Sequence, residues 1–325
     1  MKRRQLGKEG PWLSEIGLGA WAIGGAWQWG WGPQDDRDSL ATIQKALDLG
    51  INWIDTAPVY GLGHSEEVVG KAVAGKRQDV FIATKCGLVW DDRGRVRNNN
   101  RPDSIRRECE ASLKRLNTDY IDLYQIHWPD PRTPVEASWE EMLRLKQEGK
   151  VRYIGVSNFG VDLLETCERL GHVNSLQPPY SMVHRVRYPE VENEILPWCR
   201  AHGVGVVAYS PLQNGLLTGK FTRERLEQLP RDDWRRKSEF FQEPLFSQVL
   251  ELVERLKPIA ATYEKSLTQL AIAWVLQNPA VTAAIVGARR PEQVEEHVGG
   301  SGWEISLDDR RIIEEMTARI FQKGQ

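Results

Sequence analysis

Cysteine is scarce in this chain. Cys86, Cys109, Cys167 and Cys199 are its only four, and no two stand in a CxxC pair. The spacing excludes a disulfide frame or cysteine metal site and fits free thiols in a reducing cytoplasm. Charge of one sign is also lacking: 43 Lys and Arg stand against 45 Asp and Glu, for a net charge of −2. With an isoelectric point near 6.4 there is no bulk attraction to nucleic acid or an anionic membrane, and neither is expected as a partner. No apolar run approaches the ~20 residues that a membrane helix needs. The opening "MKRRQLGKEGPW" has basic residues with no apolar stretch behind them, so no signal peptide is expected. Low-complexity tracts and clean domain breaks are missing too, so the expectation is a single domain over residues 1–325, located in the cytoplasm.

What the chain does have is ordinary globular composition, 41% hydrophobic and 27% charged over 325 residues, and 13 tryptophans. Short β-rich runs recur at 15–19, 51–56, 79–85, 121–127, 151–157, 174–177, 204–210 and 281–287. Amphipathic helical segments lie between them. In 35–50, Leu40, Ile43 and Leu47 share one face and Gly50 ends the helix. Further helices are expected at 65–75 with Ser65 as N-cap, at 101–116 with Pro102 near its start, and at 134–149 and 161–170. Those at 189–203 (with a kink at Pro197), 247–263, 266–277, 291–298 and 306–321 complete the set. A connection rich in glycine, charge and aromatics runs over roughly 211–245. Strands alternating with helices imply a parallel sheet covered on both faces, and eight such units in about 300 residues suit a closed (β/α)8 TIM barrel.

"IGLGAWA" (16–22) fits the loose dinucleotide pattern G-x-G-x-x-G/A. A Rossmann turn must pass directly from strand to helix, so that a phosphate sits on the helix N-terminus. Here "AWAIGGAWQWGWGP" follows, with no helical period before residue 36. The expectation is therefore a βα loop at a barrel mouth, with Gly17 and Gly19 serving close packing and Ala20 and Trp21 facing a ligand. The alternating Trp27, Trp29 and Trp31 read equally as one face of a hairpin, as a packed loop, or as an aromatic pocket wall.

Catalytic groups of such barrels sit where strands end. The runs end in Asp55, Lys85, His127, Ser157-Asn158, Gln177 and Tyr209-Ser210, and Tyr60 follows the second. Each alone reads as well as a loop anchor or core residue; their recurrence on one rim points to a site. A lysine between an aspartate and a tyrosine is expected to lower the phenol pKa from about 10. That would make Tyr60 a proton donor to a carbonyl oxygen oriented by His127. No nucleophile is evident, so a hydride donor is the missing partner. Asp55 and His127 alone make no metal site, and none is expected, although a metal-dependent barrel hydrolase is a competing reading.

At these residues the sequence resembles the aldo-keto reductases, in what looks like their bacterial general-stress branch. "GINWIDTAPVYG", "VFIATK", "IDLYQIHWPD", "IGVSNF", "LQPPYS" and "YSPLQNGLLTGK" stand in that family's order and spacing. The resemblance implies a TIM barrel with extended cofactor-covering loops and a C-terminal helix, binding NADP(H). It implies a tetrad of Asp55, Tyr60, Lys85 and His127. It also implies that Ser157, Asn158 and Gln177 hold the nicotinamide and that Tyr209 stacks on it. Ser210, Pro211, Leu212, Gln213, Asn214 and Lys220 would line the pyrophosphate, with Arg235 a further contact, and Ala20 and Trp21 would lie beside the reacting end. At the adenosine end Gly287, Ala288 and Gln293 replace the Lys-Ser and Arg that many members carry. Arg289 is then available to a 2′-phosphate, Arg290 competes with it, and NADPH is favoured over NADH. The implied reaction is reduction of aldehydes and ketones. Trp21, the Trp27–Trp31 stretch, Trp90 and Trp128 are expected to shape a pocket for apolar or aromatic aldehydes. A cofactor-sensing protein resembling potassium-channel β-subunits is the alternative. A monomer or weak homo-oligomer is expected.

Overall fold

A computed structural model of the protein describes residues 1–231 and 233–322. Twelve strands are described: β1 (Arg3–Gln5), β2 (Trp12–Ser14), β3 (Ile16–Gly19), β4 (Trp53–Asp55), β5 (Phe81–Cys86), β6 (Leu88–Trp90), β7 (Val96–Asn98), β8 (Ile121–Ile126), β9 (Val151–Ser157), β10 (Ser175–Gln177), β11 (Gly205–Tyr209) and β12 (Val281–Gly287). Eight of them close a barrel in the order β3, β4, β5, β8, β9, β10, β11, β12, with β12 returning to β3. Every barrel pairing is parallel.

Helices α1 (Asp36–Asp48), α2 (His64–Ala72), α3 (Pro102–Leu116), α4 (Val135–Gln147) and α5 (Val161–Leu170) form the first crossovers. After them come α6 (His184–Arg187), α7 (Leu196–His202), α8 (Arg223–Glu227), α9 (Leu245–Thr262), α10 (Leu267–Leu276), α11 (Pro291–Val298) and a C-terminal α12 (Leu307–Gln322). Helices outside and side chains inside leave barrel strands no wet face, so all six residues of β8 are buried. Local chemistry sets the helix ends. Asp35 caps α1 by accepting from the Arg37 amide at 2.7 Å, Pro102 opens α3, and Asn117 closes it at φ 51°.

The glycines of "IGLG" serve packing, as expected. A Cβ on Gly17 would lie 2.1 Å from the Trp53 ring, and one on Gly19 would lie 2.9 Å from Ile285. Inside the barrel, Trp53, Ala83, Leu123, Val207 and Ala283 stack with Leu6 and Leu13 of the β1–β2 hairpin, which plugs the N-terminal end. All four cysteines are free and buried.

One local expectation is corrected. Ser65 is not an N-cap: α2 starts at His64 behind Gly63 at φ 108°, and the Ser65 hydroxyl instead joins Thr56 Oγ1 and the Ala20 carbonyl, each at 2.9 Å. The expected helix over 189–203 is helical from 190 to 202, and Pro197 stands inside it, directly after a π-helical turn over Val191–Ile195 that loosens the regular hydrogen-bond ladder.

Candidate active site

The C-terminal ends of the barrel strands open into a cavity of about 660 Å³. That volume lies within the range of small-molecule sites. Behind the cavity-lining Asp55 and Tyr60 sits Lys85, carried inward by β5 and wholly buried. Its Nζ donates to Asp55 Oδ1 at 2.7 Å, to the Thr56 carbonyl at 2.9 Å and to the Tyr60 hydroxyl at 3.2 Å. Three donors thus meet three acceptors, which is what makes a buried ammonium tolerable. Asp55 Oδ2 accepts from Gln177 Nε2 at 2.8 Å, so both of its oxygens are engaged. The His127 ring stands edge-on to Tyr60 with centroids 5.7 Å apart. Asp55, Tyr60, Lys85 and His127 are therefore one cluster, although 72 residues of chain separate the first from the last.

Electrostatics depart from the sequence expectation at one point. Lys85 was expected to bring the Tyr60 phenol down; instead burial pushes it well up, and the Asp55 carboxylate adds to the rise. Dehydration of a phenolate outweighs one ammonium that Asp55 already neutralises. Tyr60 is accordingly a protonated phenol at neutral pH. Burial also lowers Lys85, against the pull of Asp55. Burial and then the Lys85 charge hold His127 far below the usual imidazole range, so that ring is neutral.

Beside the cluster, Ser157, Asn158, Gln177 and Tyr209 line one wall. Tyr209 donates to Asn158 Oδ1 at 2.9 Å, Asn158 Nδ2 donates to the His127 carbonyl at 3.1 Å, and Ser157 Oγ donates to the Gln177 carbonyl at 2.8 Å. Asn158, Ser210, Gln213 and Asn214 all have positive φ, as do only three other non-glycine residues among those described. Backbone strain of this kind gathers at binding sites. Ser210, Pro211, Leu212, Asn214, Lys220, Arg235, Gly287, Arg289 and Gln293 line the cavity as well. Several of their polar heads are occupied. Lys220 pairs with Glu296 at 2.7 Å, and Arg235 grips Asp233 through two bonds of 2.9 and 2.6 Å. Gln293 Oε1 accepts from the Arg289 amide at 2.8 Å.

Four expected contacts do not reach the cavity. Ala20 is consumed in fastening β3 to its neighbours: its amide donates to the Asp55 carbonyl and its own carbonyl takes Ser65. Gln213 turns inward to accept from Ser181 Oγ at 2.8 Å. Ala288 is buried and falls between Gly287 and Arg289, which line the wall. Trp90 pairs with Val96 in the β6–β7 hairpin, and only the hairpin's first rung, Leu88 with Asn98, touches the cavity. Arg290 is likewise off the wall and exposed.

Trp21, Trp27 and Trp128 take their expected places, joined by Trp29 and Trp31. Trp234 was missed. It stacks on Trp21 at 5.4 Å, and its position beside Arg235 in "DDWRRK" was the available clue. Among the described residues, no three His, Cys, Asp or Glu side chains gather as metal ligands. No described helix is long and apolar enough to cross a membrane.

Comparison with known proteins agrees with this geometry. The Bacillus subtilis aldo-keto reductase YhdN is 43% identical over 96% of this chain and 92% of its own. The NADH-specific methylglyoxal reductase of Escherichia coli is 38% identical over 98% of this chain and 99% of its own. The solved structure of glycerol dehydrogenase AKR11B4 from Gluconobacter oxydans superimposes with a TM-score of 0.87. It is 40% identical, and the match covers 98% of this chain and 95% of that one. The family model "Aldo/keto reductase family" matches residues 15–318, and the chain belongs to that family of nicotinamide-dependent oxidoreductases.

Proposed function

We propose that the protein reduces aldehydes, and more slowly ketones, with NADPH, and that Tyr60 is the general acid. The observation that carries the reading is the fully buried Lys85 ammonium donating at once to Asp55 and to the cavity-lining Tyr60 hydroxyl. The phenol enters the reaction protonated. As its proton passes to a developing alkoxide, the oxygen left behind already accepts from Lys85, so the charge appears where a donor waits. Asp55 keeps Lys85 charged and aimed. Neutral His127 donates to the carbonyl oxygen and sets its angle to Tyr60.

The residues fit a nicotinamide cofactor. Ser157, Asn158 and Gln177 offer amide and hydroxyl groups next to the cluster, Tyr209 offers a ring, and the strained 210–214 backbone offers a path for the phosphates. The bound cofactor supplies the hydride. Trp21, Trp27 and Trp128 suit apolar or aromatic aldehydes. NADPH is preferred because Arg289, on the wall, matches a phosphate dianion with a two-pronged guanidinium. One relative carries the name NADH-specific, so the preference belongs to this chain's own residues and not to the family.

The test is a titration of NADPH against NADH, followed by an aldehyde panel that includes 4-nitrobenzaldehyde. Faster turnover and tighter binding with NADPH are expected. Equal use of both cofactors contradicts the 2′-phosphate assignment. Tight cofactor binding with no appreciable turnover of any aldehyde contradicts the reductase reading and favours a cofactor sensor.

A further inference from the structure

Arg289 faces the cavity, yet its guanidinium is committed elsewhere. Nε donates to Gln34 Oε1 at 2.6 Å, one terminal nitrogen donates to the Pro33 carbonyl, and the other reaches the Trp31 carbonyl at 3.5 Å. Gln34 answers with a bond from Nε2 to the Arg289 carbonyl at 3.0 Å. The four bonds clamp the end of the glycine–tryptophan segment that starts at Trp21. Within that segment Trp21 packs on Trp31 at 6.1 Å and on Trp27 at 6.4 Å, and it stacks on Tyr60 at 6.3 Å. Arg235 lies 4.8 Å over the Trp31 ring. A cation at one end of the cavity is thus wired to the aromatic wall at the other.

Two features show where this packing is weakly held. The indole nitrogens of Trp21, Trp27, Trp31 and Trp234 are all buried without a partner, so no hydrogen bond fixes the indoles of the packed segment. Gly25 and Gly32, at φ 73° and 82°, bracket Trp27, Trp29 and Trp31, and no atom lies within 4 Å of a Cβ built on Gly32. Both positions have the conformational room of a hinge. Against this, Arg289 spends its donors on neutral oxygens, whereas a phosphate offers two charge-assisted bonds to the same fork.

We propose that Arg289 is shared between residues 31–34 and the cofactor's 2′-phosphate, so that phosphate binding releases the tryptophan segment 21–31 beside Tyr60. The inference rests on the NADPH reading above. Burial, with Arg235 and Arg290 nearby, destabilises the Arg289 charge, which further favours an incoming anion. Because coupling is reciprocal, the clamp lowers the affinity for phosphate by the fraction of time it is closed. Gln34, which would touch no cofactor atom, then tunes cofactor affinity.

The test uses adenosine 2′,5′-bisphosphate and adenosine 5′-monophosphate, neither of which carries a nicotinamide, on the full chain. Calorimetry reads affinity, and hydrogen exchange reads the amides of Gly24, Gly25 and Gly30, which bond within the segment. The bisphosphate is expected to bind at least about tenfold tighter and to speed exchange in 22–34, while the monophosphate leaves it unchanged. Gln34→Ala is expected to speed exchange without ligand and to tighten the bisphosphate about threefold. Arg289→Met is expected to lose the tenfold preference and the exchange response together. A bisphosphate that binds preferentially with exchange unchanged, or a Gln34→Ala protein that binds it more weakly, overturns the shared arginine and leaves the NADPH reading standing. A bisphosphate no tighter than the monophosphate overturns both.

Discussion

The two ends of the barrel are built to opposite standards. At the N-terminal end the polar groups around the β1–β2 hairpin are partnered. Trp53 Nε1 donates to the Ser14 carbonyl at 2.9 Å, and Asn52 takes the Ser14 amide at 2.8 Å and gives to the Trp12 carbonyl at 2.9 Å. Arg4 binds Glu15 and the carbonyls of Leu276 and Val281. At the C-terminal mouth four indole N–H groups have no acceptor, and four non-glycine residues sit at positive φ. Satisfied contacts hold a fold. Unsatisfied donors and a strained backbone gathered around one cavity point to a place that a ligand completes. The bottom therefore carries stability and the mouth carries chemistry, as the barrel's architecture allows.

That division is open to breakage from both sides. The largest effect expected on stability is Trp53→Ala, which empties a fully buried site against the plug. Urea unfolding should show a loss of about 3–5 kcal/mol, with turnover at 25 °C within about twofold of the parent. A collapse of turnover at unchanged stability contradicts the division.

Next comes acid sensitivity, which belongs to the mouth. Burial holds His297, on the cavity wall, at about 4. Below the ordinary histidine value of about 6.5 the unfolded chain takes a proton that the folded chain refuses, so stability falls with pH from there towards 4. The loss should reach roughly 2–3 kcal/mol by pH 4.5. His297→Gln should shrink it, and parallel acid limbs for variant and parent contradict the assignment.

Smaller again, His127→Gln should lower kcat about 100-fold with cofactor affinity unchanged, since only carbonyl orientation is lost. Least of all, Trp21→Ala should raise KM for an aromatic aldehyde about tenfold and leave propionaldehyde nearly untouched.

The sequence carried the barrel because its strands are buried on both faces and its helices have one apolar stripe, so each period is plain; 151–157, 161–170, 281–287 and 291–298 end where expected. The polar cluster was legible for a related reason: Asp55, Lys85 and His127 interrupt apolar runs, and a polar residue there needs partners. The β1–β2 and β6–β7 hairpins were not foreseen, because three-residue strands show no period. Ala20, Gln213 and Ala288 lie off the cavity wall, which loop spacing does not reveal because it does not say which way a side chain turns. The direction of the Tyr60 shift depends on how completely the phenol is dehydrated, which no pair of residue types specifies.

The measurement closest to the central claim pairs two numbers on Tyr60→Phe: its single-turnover rate of aldehyde reduction and its dissociation constant for oxidised cofactor. If Tyr60 is the proton donor, the rate falls at least about 1000-fold while the dissociation constant moves less than about threefold. A rate within about tenfold of the parent contradicts the account, because the proton would then have come from another group.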